Sequence, residues 1–299
     1  MVPVTFDNLA TGHRWAVQWG PLVEGDTRDR TALERVIGDH APVAVIHLAA
    51  LSVIDESVRE PRLYHAVNVG GTENLLAAMR VHGVVDVVLS STASVYGEAQ
   101  NQPISEDAPE DPINPYGATK LAAEALLRDH APGDGLRATA LRYFNAAGAT
   151  ESIGEAHDPE THLFPLAIFA ALGRRPALTI HGTDYPTPDG TCIRDYVHVA
   201  DLAEAHVAAL DRPQSGFRIF NLGTGAGLSV RQVLDAVKTV SGRTMMETSG
   251  PRRPGDAPIL VAAANRAKAA LGWSPHHSSP EEIAASAWQW HAGGGAGQR

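Results

Sequence analysis

The first half of the chain alternates strand-type and helix-type segments, and this alternation limits the possible folds most strongly. Strands are predicted at 2–6, 43–48, 84–89 and 136–143. Helices are predicted between them, at 30–39, 61–82 and 115–130. Strands separated by helices form parallel sheets with right-handed crossovers. We therefore expect an α/β fold with a Rossmann-like, doubly wound parallel sheet.

The pattern becomes less regular after Asn145. Segments 151–161 and 181–191 are rich in Gly, Pro, Asp and Thr, and loops of this length are often substrate loops. A strand is predicted at 217–222, with helices at 199–210 and 229–240. Ser229 and Ser279 are expected helix N-caps. The Gly-rich segment 291–299 is expected to be a disordered tail.

Composition excludes several function classes. The formal net charge of -10 argues against a nucleic-acid or anionic membrane partner. No apolar stretch is long enough to cross a bilayer. Cys192 is the only cysteine, which excludes an intrachain disulfide and fits a reducing, cytoplasmic location. The fourteen histidines show no metal-binding spacing, so no metal is expected.

Tyr116 and Lys120 carry the strongest chemical signal. Residues four apart lie on one helix face, and Thr92 follows the apolar run 84–89 that predicts a buried strand. A neighbouring ammonium stabilises a phenolate, and so does a positively charged nicotinamide, so together they would bring the pKa of Tyr116 toward neutrality. Thr92 would orient the reacting oxygen, which indicates redox chemistry at a carbinol. The alternative interpretations are an ordinary amphipathic helix and a hydroxyl that caps a turn.

Nine segments together carry a family resemblance. They are Phe6–Leu9, Val45–Ala50, Ser90–Gly97, Tyr116–Lys120, Arg142–Asn145, Pro159–Leu163, Asp189–His198, Asn221–Gly225 and Arg252–Asp256. The chain resembles the extended short-chain dehydrogenase/reductase family, and within it the enzymes that epimerise UDP-hexoses at C4. The resemblance implies NAD as cofactor and Tyr116, Lys120 and Thr92 as the catalytic residues. The implied reaction interconverts UDP-glucose and UDP-galactose through a transient 4-keto sugar.

The resemblance also implies binding residues. Those for NAD are Asp7, Asn8, Asp26, Thr27, Leu48, Ala49, Ala50, Asn68, Ser90, Tyr116, Lys120 and Tyr143. Those for the UDP-sugar are Thr92, Tyr116, Asn145, His162, Leu163, His181, Arg194, Arg253, Asp256 and Leu260. Arginine suits bidentate phosphate recognition, although Arg194 could instead pair locally with Asp195. Leu48 to Ala50 could equally be an ordinary buried strand end.

The same resemblance implies an organisation of the chain. We expect an NAD-binding domain at 1–145, a mainly UDP-sugar-binding region at 146–290 with some segments returning to the sheet, and the tail at 291–299. A homodimer is expected through the helices at 61–82 and 115–130. Cys192 is expected to be a packing residue.

The chain departs from the family pattern at its beginning. The family starts with a strand and a Gly-x-x-Gly-x-x-Gly turn, which receives the pyrophosphate at a helix N-terminus. Here Met1 stands almost at the second strand, so we expect a native protein about two dozen residues longer, or else the product of a decayed gene. The missing strand would be central and would leave a break in the sheet.

Other functions remain open. A sugar-nucleotide 4,6-dehydratase would carry acids after the catalytic Thr, whereas Ala93 and Ser94 follow Thr92. An epimerase or decarboxylase for another UDP-sugar is a further alternative. Leu260 lies at the hexose-gating position of the family, and its intermediate size leaves open whether N-acetyl sugars are admitted. The chain could also be a non-catalytic nucleotide-sugar-binding relic.

Overall fold

The computed structural model describes residues 2–99, 101–253 and 256–295. In chain order the strands are β1 (Thr5–Asp7), β2 (Leu22–Glu24), β3 (Val45–His47), β4 (Asp86–Thr92), β5 (Arg137–Tyr143), β6 (Asn145–Ala147), β7 (Leu178–His181), β8 (Ile193–Arg194), β9 (Tyr196–His198), β10 (Gly216–Leu222), β11 (Leu228–Ser229), β12 (Glu247–Gly250) and β13 (Ile259–Leu260). The helices are α1 (Arg30–His40), α2 (Ile54–Arg59), α3 (Pro61–Tyr64), α4 (Gly71–His82), α5 (Pro115–Asp134), α6 (Leu163–Ala171), α7 (Val199–Asp211), α8 (Val230–Ser241), α9 (Asn265–Leu271) and α10 (Pro280–Ala292).

The chain forms two compact units, each built from separate stretches of sequence. Unit 1 comprises Met1–Glu98, Pro109–Arg142 and His206–Phe220. Unit 2 comprises Ala99–Ala108, Tyr143–Ala205 and Asn221–Arg299.

The sheet of unit 1 is interrupted. β3 and β4 are parallel neighbours in a sheet of order β10-β5-β4-β3, whereas β1 and β2 form a separate parallel pair. Within the described residues no ladder joins the two sheets. The predicted α/β fold with a parallel sheet is confirmed, and the break lies where the sequence predicts it.

One apolar core supports both sheets of unit 1. Leu33 of α1, Met79 of α4 and Leu127 of α5 are buried with strand residues such as Leu89. Phe6, Val23 and Val45 pack against this same cluster from β1, β2 and β3. Burial of this apolar surface is the main term that stabilises the unit, at about 25 cal/mol per Å².

Unit 2 packs α6, α8 and α10 around a second core that includes Phe164, Ile168, Val233 and Ile283. Its strands form small sheets, of which the β11-β8-β13 sheet carries Arg194. The predicted N-caps are confirmed: Ser229 forms a capping box with Gln232, and Ser279 accepts from the N–H of Glu282.

Several predicted elements differ in detail. The helix predicted over 61–82 is divided by a π-helical segment, His65–Gly70. There Gly71 approaches Thr27 so closely that a Cβ would lie 2.5 Å from the Thr27 hydroxyl oxygen. The helix predicted to end at 130 continues to Asp134 and ends at Gly135, which has φ 64°.

The prediction of a disordered tail is wrong for its first residues. Helix α10 extends to Ala292, and His291 is buried with its ring edge-on to Phe169. Arg174 also donates to the carbonyl of His291 at 3.0 Å. Residues 296–299 lie outside the described residues.

Candidate functional site

The predicted Tyr116 and Lys120 lie on the first turns of α5 in unit 1. Asn114 caps this helix by accepting from the N–H of Gly117 at 2.8 Å, and Pro115 occupies its first position. Tyr116 and Lys120 are therefore one turn apart on one face. Lys120 is buried, and its Nζ donates to the carbonyl of Ser90 at 2.7 Å, which fixes α5 to the end of β4.

Thr92 is the last residue of β4, and its hydroxyl has two partners there. Its Oγ1 accepts from the N–H of Ser94 at 3.1 Å, which begins a short 3-10 turn. It also donates to Oγ of Ser94 at 3.3 Å, and it acts on the phenol of Tyr116, whose pKa it lowers. Thr92 thus caps the turn, as the alternative interpretation has it, and contacts Tyr116, so the structure brings the three predicted catalytic side chains together.

Burial governs the pKa of Tyr116. It raises this pKa above its ordinary value, and Thr92 opposes that rise only in part. Burial lowers the pKa of Lys120 to about 8, with the charge of Glu124 acting in the opposite direction. In the protein alone, burial thus outweighs stabilisation of the phenolate, and the lowering of the Tyr116 pKa by Lys120 together with a cationic nicotinamide stays a prediction.

His47 is a neighbour of this site that the sequence did not single out. It is the last residue of β3 and is buried, with Nε2 3.0 Å from Oγ1 of Thr72. Burial, and then the charge of Lys120, lowers its pKa to about 3, so the imidazole is neutral. His47 and Thr72 are 25 residues apart, and they meet only because the fold packs β3 against α4. The local sequence therefore gives no sign of this contact.

The predicted adenosine residues follow β1 and β2 in unit 1. Asp7 ends β1 and accepts the N–H of Leu9 at 2.6 Å through Oδ1. Asn8 donates to Oδ2 of Asp26 at 2.9 Å, and Arg28 binds both oxygens of that carboxylate. Arg28 keeps the pKa of Asp26 far below its usual range. Thr27, the next residue, is buried.

The predicted crevice residues follow β3. Leu48 is 59% exposed, and Ala49 and Ala50 are half-buried, so the interpretation of these residues as a buried strand end is wrong. Asn68 is buried, and its amide bonds both backbone groups of Leu51 and the hydroxyl of Thr119. This side chain therefore shapes the loop after β3 directly.

In unit 2, Arg194 lies on β8 beside Leu260 of β13, its register partner. Its guanidinium donates to Oδ1 of Asp256 at 3.1 Å and to the carbonyl of Ala257 at 2.8 Å. Arg253 is exposed, and its carbonyl accepts the N–H of Asp256 at 3.2 Å. Four of the predicted UDP-sugar residues are therefore neighbours.

The local ion pair between Arg194 and Asp195 is not formed. Asp195 is buried and accepts from the N–H groups of Thr224, Gly225 and Ala262 and from the Thr224 hydroxyl. Sequence reasoning missed this anchor, because its partners lie 29 to 67 positions away along the chain.

The other predicted substrate residues of unit 2 occupy strand and helix ends. Asn145 begins β6 after Tyr143 ends β5, and its N–H donates to the carbonyl of Asp195 at 2.9 Å. His162 and Leu163 lie at the start of α6, and His181 ends β7.

A cluster of metal-type ligands forms in the loop before α6. Glu155, His157 and His162 place donor atoms within 4.8 Å of one another. His157 pairs with Glu155, and Nδ1 of His162 lies 2.8 Å from Oε1 of Glu160. These carboxylates raise the pKa of both histidines. The expected absence of a metal stays a prediction. Cys192 is buried, which raises its thiol pKa and fits packing.

Comparison with known proteins identifies the family. A family model described as the NAD dependent epimerase/dehydratase family matches residues 4–223. The chain belongs to this family. Among its relatives, a UDP-glucose 4-epimerase of Rhizobium leguminosarum bv. trifolii is 48% identical over 294 residues, which cover 97% of this chain and 90% of that protein.

Solved structures of this epimerase/dehydratase family are also similar. A UDP-glucose 4-epimerase from Brucella ovis in complex with NAD superimposes with a TM-score of 0.92 at 47% identity, covering 96% of this chain and 90% of that one. One from Bifidobacterium longum in complex with NAD+ and UDP has a TM-score of 0.92 at 36% identity, covering 98% and 92%. The expected longer native chain gains no support here and stays a prediction.

No helix among the described residues has the length and apolar character needed to span a membrane.

Proposed function

We propose that this chain inverts C4 of a UDP-hexose and so interconverts UDP-glucose and UDP-galactose, with NAD as the hydride carrier. One observation carries the proposal: Thr92, at the end of β4, acts on the phenol of Tyr116 on α5, one turn before the buried Lys120, in a family member whose relatives are named UDP-glucose 4-epimerases. The proposed sites divide between the units, with NAD on unit 1 and the UDP group on unit 2.

The residues of unit 1 fit both ends of NAD. The carboxylate of Asp7 stands at the carboxyl end of a parallel strand, where it suits the adenosine ribose and disfavours the extra phosphate of NADP. Lys120 and Tyr116 suit the nicotinamide ribose, with Leu48 to Ala50 along the dinucleotide.

Tyr116 is the proposed general base and acid. Its phenolate takes the proton of the 4-hydroxyl while the C4–H bond breaks, which leaves a 4-keto sugar. Thr92 donates to the same sugar oxygen and orients it toward Tyr116. Bound NAD would accept the hydride from C4 and return it to the opposite face. Tyr116 then gives its proton back to the C4 oxygen, so no net oxidation occurs.

Lys120 has an electrostatic role in this scheme. A positive charge near the Tyr116 phenol favours the phenolate, and both the Lys120 ammonium and the cationic nicotinamide ring would supply such a charge. Because burial alone raises the Tyr116 pKa, we infer that this phenol becomes an effective base only in the holoenzyme.

Unit 2 would hold the nucleotide. Arg194, Arg253 and Asn145 are proposed for the diphosphate, and Asp256 for the uridine ribose. His162, Leu163 and His181 are proposed around the uracil. Firm binding of the UDP group leaves the hexose free to turn, which a C4 inversion requires.

Leu260 leaves the choice of hexose open. It lies beside Arg194, and its intermediate size admits an epimerase for another UDP-sugar as the second candidate. A decarboxylase or a relic without activity would retain the same nucleotide residues, so product analysis separates these alternatives.

We also propose a homodimer through α3, α4 and α5. The large apolar side chains of Leu63 on α3 and Val81 on α4 are exposed, as is that of Val58 on α2. Light scattering would then give twice the 31.6 kDa of one chain. The cytoplasmic location inferred from the single cysteine stays a prediction.

The test of the function is direct. The protein is supplied with NAD and UDP-galactose, and the products are followed by NMR. We expect UDP-glucose to form, and Tyr116→Phe to reduce the rate at least about 100-fold. Arg175→Gln, at an exposed position, is the control and keeps the rate. No product, or a 4-keto-6-deoxy or pentose product, would contradict the proposal.

A further inference from the structure

Unit 1 contains a buried ion pair, between Glu124 and Arg142, that has no role in the reaction scheme above. Glu124 and Arg142 have no exposed side-chain surface. Nε of Arg142 donates to Oε1 of Glu124 at 2.9 Å, and Nη2 donates to Oε2. The guanidinium also donates to Glu110 and lies 4.8 Å from the ring centre of Tyr96.

Glu124 has a second partner, which leads to the site. The hydroxyl of Ser91 donates to its Oε1, and Ser91 directly precedes Thr92 on β4. Glu124 itself lies one helical turn after Lys120 on α5, on the same face. One carboxylate thus joins the strand end that carries Thr92 to the helix that carries Tyr116 and Lys120.

The charge of Glu124 also acts on Lys120. Burial disfavours the ammonium, and Glu124 offsets this effect in part. The other groups facing Lys120 are His47 from β3, which is neutral, the Ser90 carbonyl from β4, and Tyr116. The groups facing Glu124 are Arg142 and Ser91.

If the Glu124–Arg142 pair served only to fill the core, Glu124 would not need to contact Ser91 or to lie one turn from Lys120. Apolar residues of similar volume usually replace a buried ion pair without loss of stability. They cannot accept from the Ser91 hydroxyl, and they cannot place a negative charge one turn from Lys120.

We propose that Glu124 is a positioning residue for the C4 epimerisation: its carboxylate ties Ser91 to α5 and holds a negative charge beside Lys120, so that Thr92 and Lys120 keep their places around Tyr116. This inference rests on the proposed function.

The charge is tested without turnover. The chain has three lysines, Lys120, Lys238 and Lys268, so ¹³C at their Cε atoms gives three titration curves by NMR. Glu124→Gln should lower the Lys120 midpoint from about 8 by about one unit, and leave the other two unchanged. Glu34→Gln is the control, since it removes a half-buried carboxylate that pairs with Arg30 on α1.

Activity of the NAD-loaded enzyme tests the positioning. In Glu124→Gln the alkaline limb of the kcat profile should move to lower pH with the Lys120 midpoint, while KM for UDP-galactose changes less than twofold. Ser91→Ala removes the tie and keeps the charge, so kcat should fall about tenfold at every pH with an unchanged Lys120 midpoint.

Unchanged Lys120 titration and unchanged kcat in Glu124→Gln would overturn the proposal. If that variant does not fold, Glu124→Gln combined with Arg142→Met removes both buried charges, and a smaller shift of the Lys120 midpoint in the same direction is expected, because Arg142 is farther from Lys120 than Glu124 is. A wild-type protein without epimerase activity would contradict the proposed function alone, because the lysine titration still tests Glu124.

Discussion

Arg194 donates through Nη2 to Oδ1 of Asp256 at 3.1 Å, although Asp195 is its neighbour in sequence. The side chain of Arg194 is only 12% exposed. Its guanidinium also donates to the backbone carbonyls of Ala257 at 2.8 Å and Ile193 at 2.9 Å. An arginine held in this way is preorganised to bind an anion.

Replacement of Arg194 should therefore weaken substrate binding. We expect Arg194→Gln to raise KM for UDP-galactose about 10- to 100-fold, with a smaller fall in kcat, because the diphosphate contact persists through the reaction. Steady-state kinetics measures the split. Arg175→Gln, at an exposed position, is the control and should match the wild type. An unchanged KM in Arg194→Gln would remove this residue from the phosphate site.

Asp195 should matter for the stability of unit 2. Its buried carboxylate accepts four hydrogen bonds, from Thr224, Gly225 and Ala262. Asp195→Asn replaces an acceptor-only group by an amide and should lower the free energy of unfolding by about 2–4 kcal/mol. Urea denaturation measures the change. A loss below about 0.5 kcal/mol would show that these contacts contribute little.

His47 should make the protein less stable in acid. Its folded pKa of about 3 lies below the unfolded value of 6.5, so the unfolded chain binds the extra proton between these limits. Stability is therefore complete above pH 6.5 and is lost as the pH falls, by about 2 kcal/mol at pH 5. Denaturation of wild type and His47→Gln between pH 5 and 7 should show a weaker pH dependence in the variant. Parallel curves would contradict the burial of a neutral imidazole.

Thr92 should act on the chemical step. Thr92→Val keeps the shape of the side chain and removes both the contact with Tyr116 and the cap on Ser94. We expect kcat to fall about 10- to 100-fold with little change in KM. Thr92→Ser, which restores the hydroxyl, should recover most of the rate. Equal rates for Val and Ser at this position would assign Thr92 to the turn alone.

Local spacing was enough to predict part of this molecule. The four-residue step from Tyr116 to Lys120 fixes one helix face whatever surrounds it, and Ser229 and Ser279 cap helices through contacts three residues away. Contacts between residues far apart in the sequence could not be predicted, because local spacing does not encode them. Asp195 meets Ala262 across 67 positions, and Arg142 meets Glu124 across 18. The raised pKa of Tyr116 likewise results from tertiary burial.

The most direct test follows the hydrogen at C4. UDP-galactose that carries deuterium at C4 is incubated with the NAD-loaded protein in ordinary water, and the UDP-glucose formed is examined by NMR and mass spectrometry. The proposed cycle removes this hydrogen as hydride and returns it to the opposite face, so the product should retain deuterium at C4. Product with hydrogen from solvent at C4, or no UDP-glucose at all, would contradict the account.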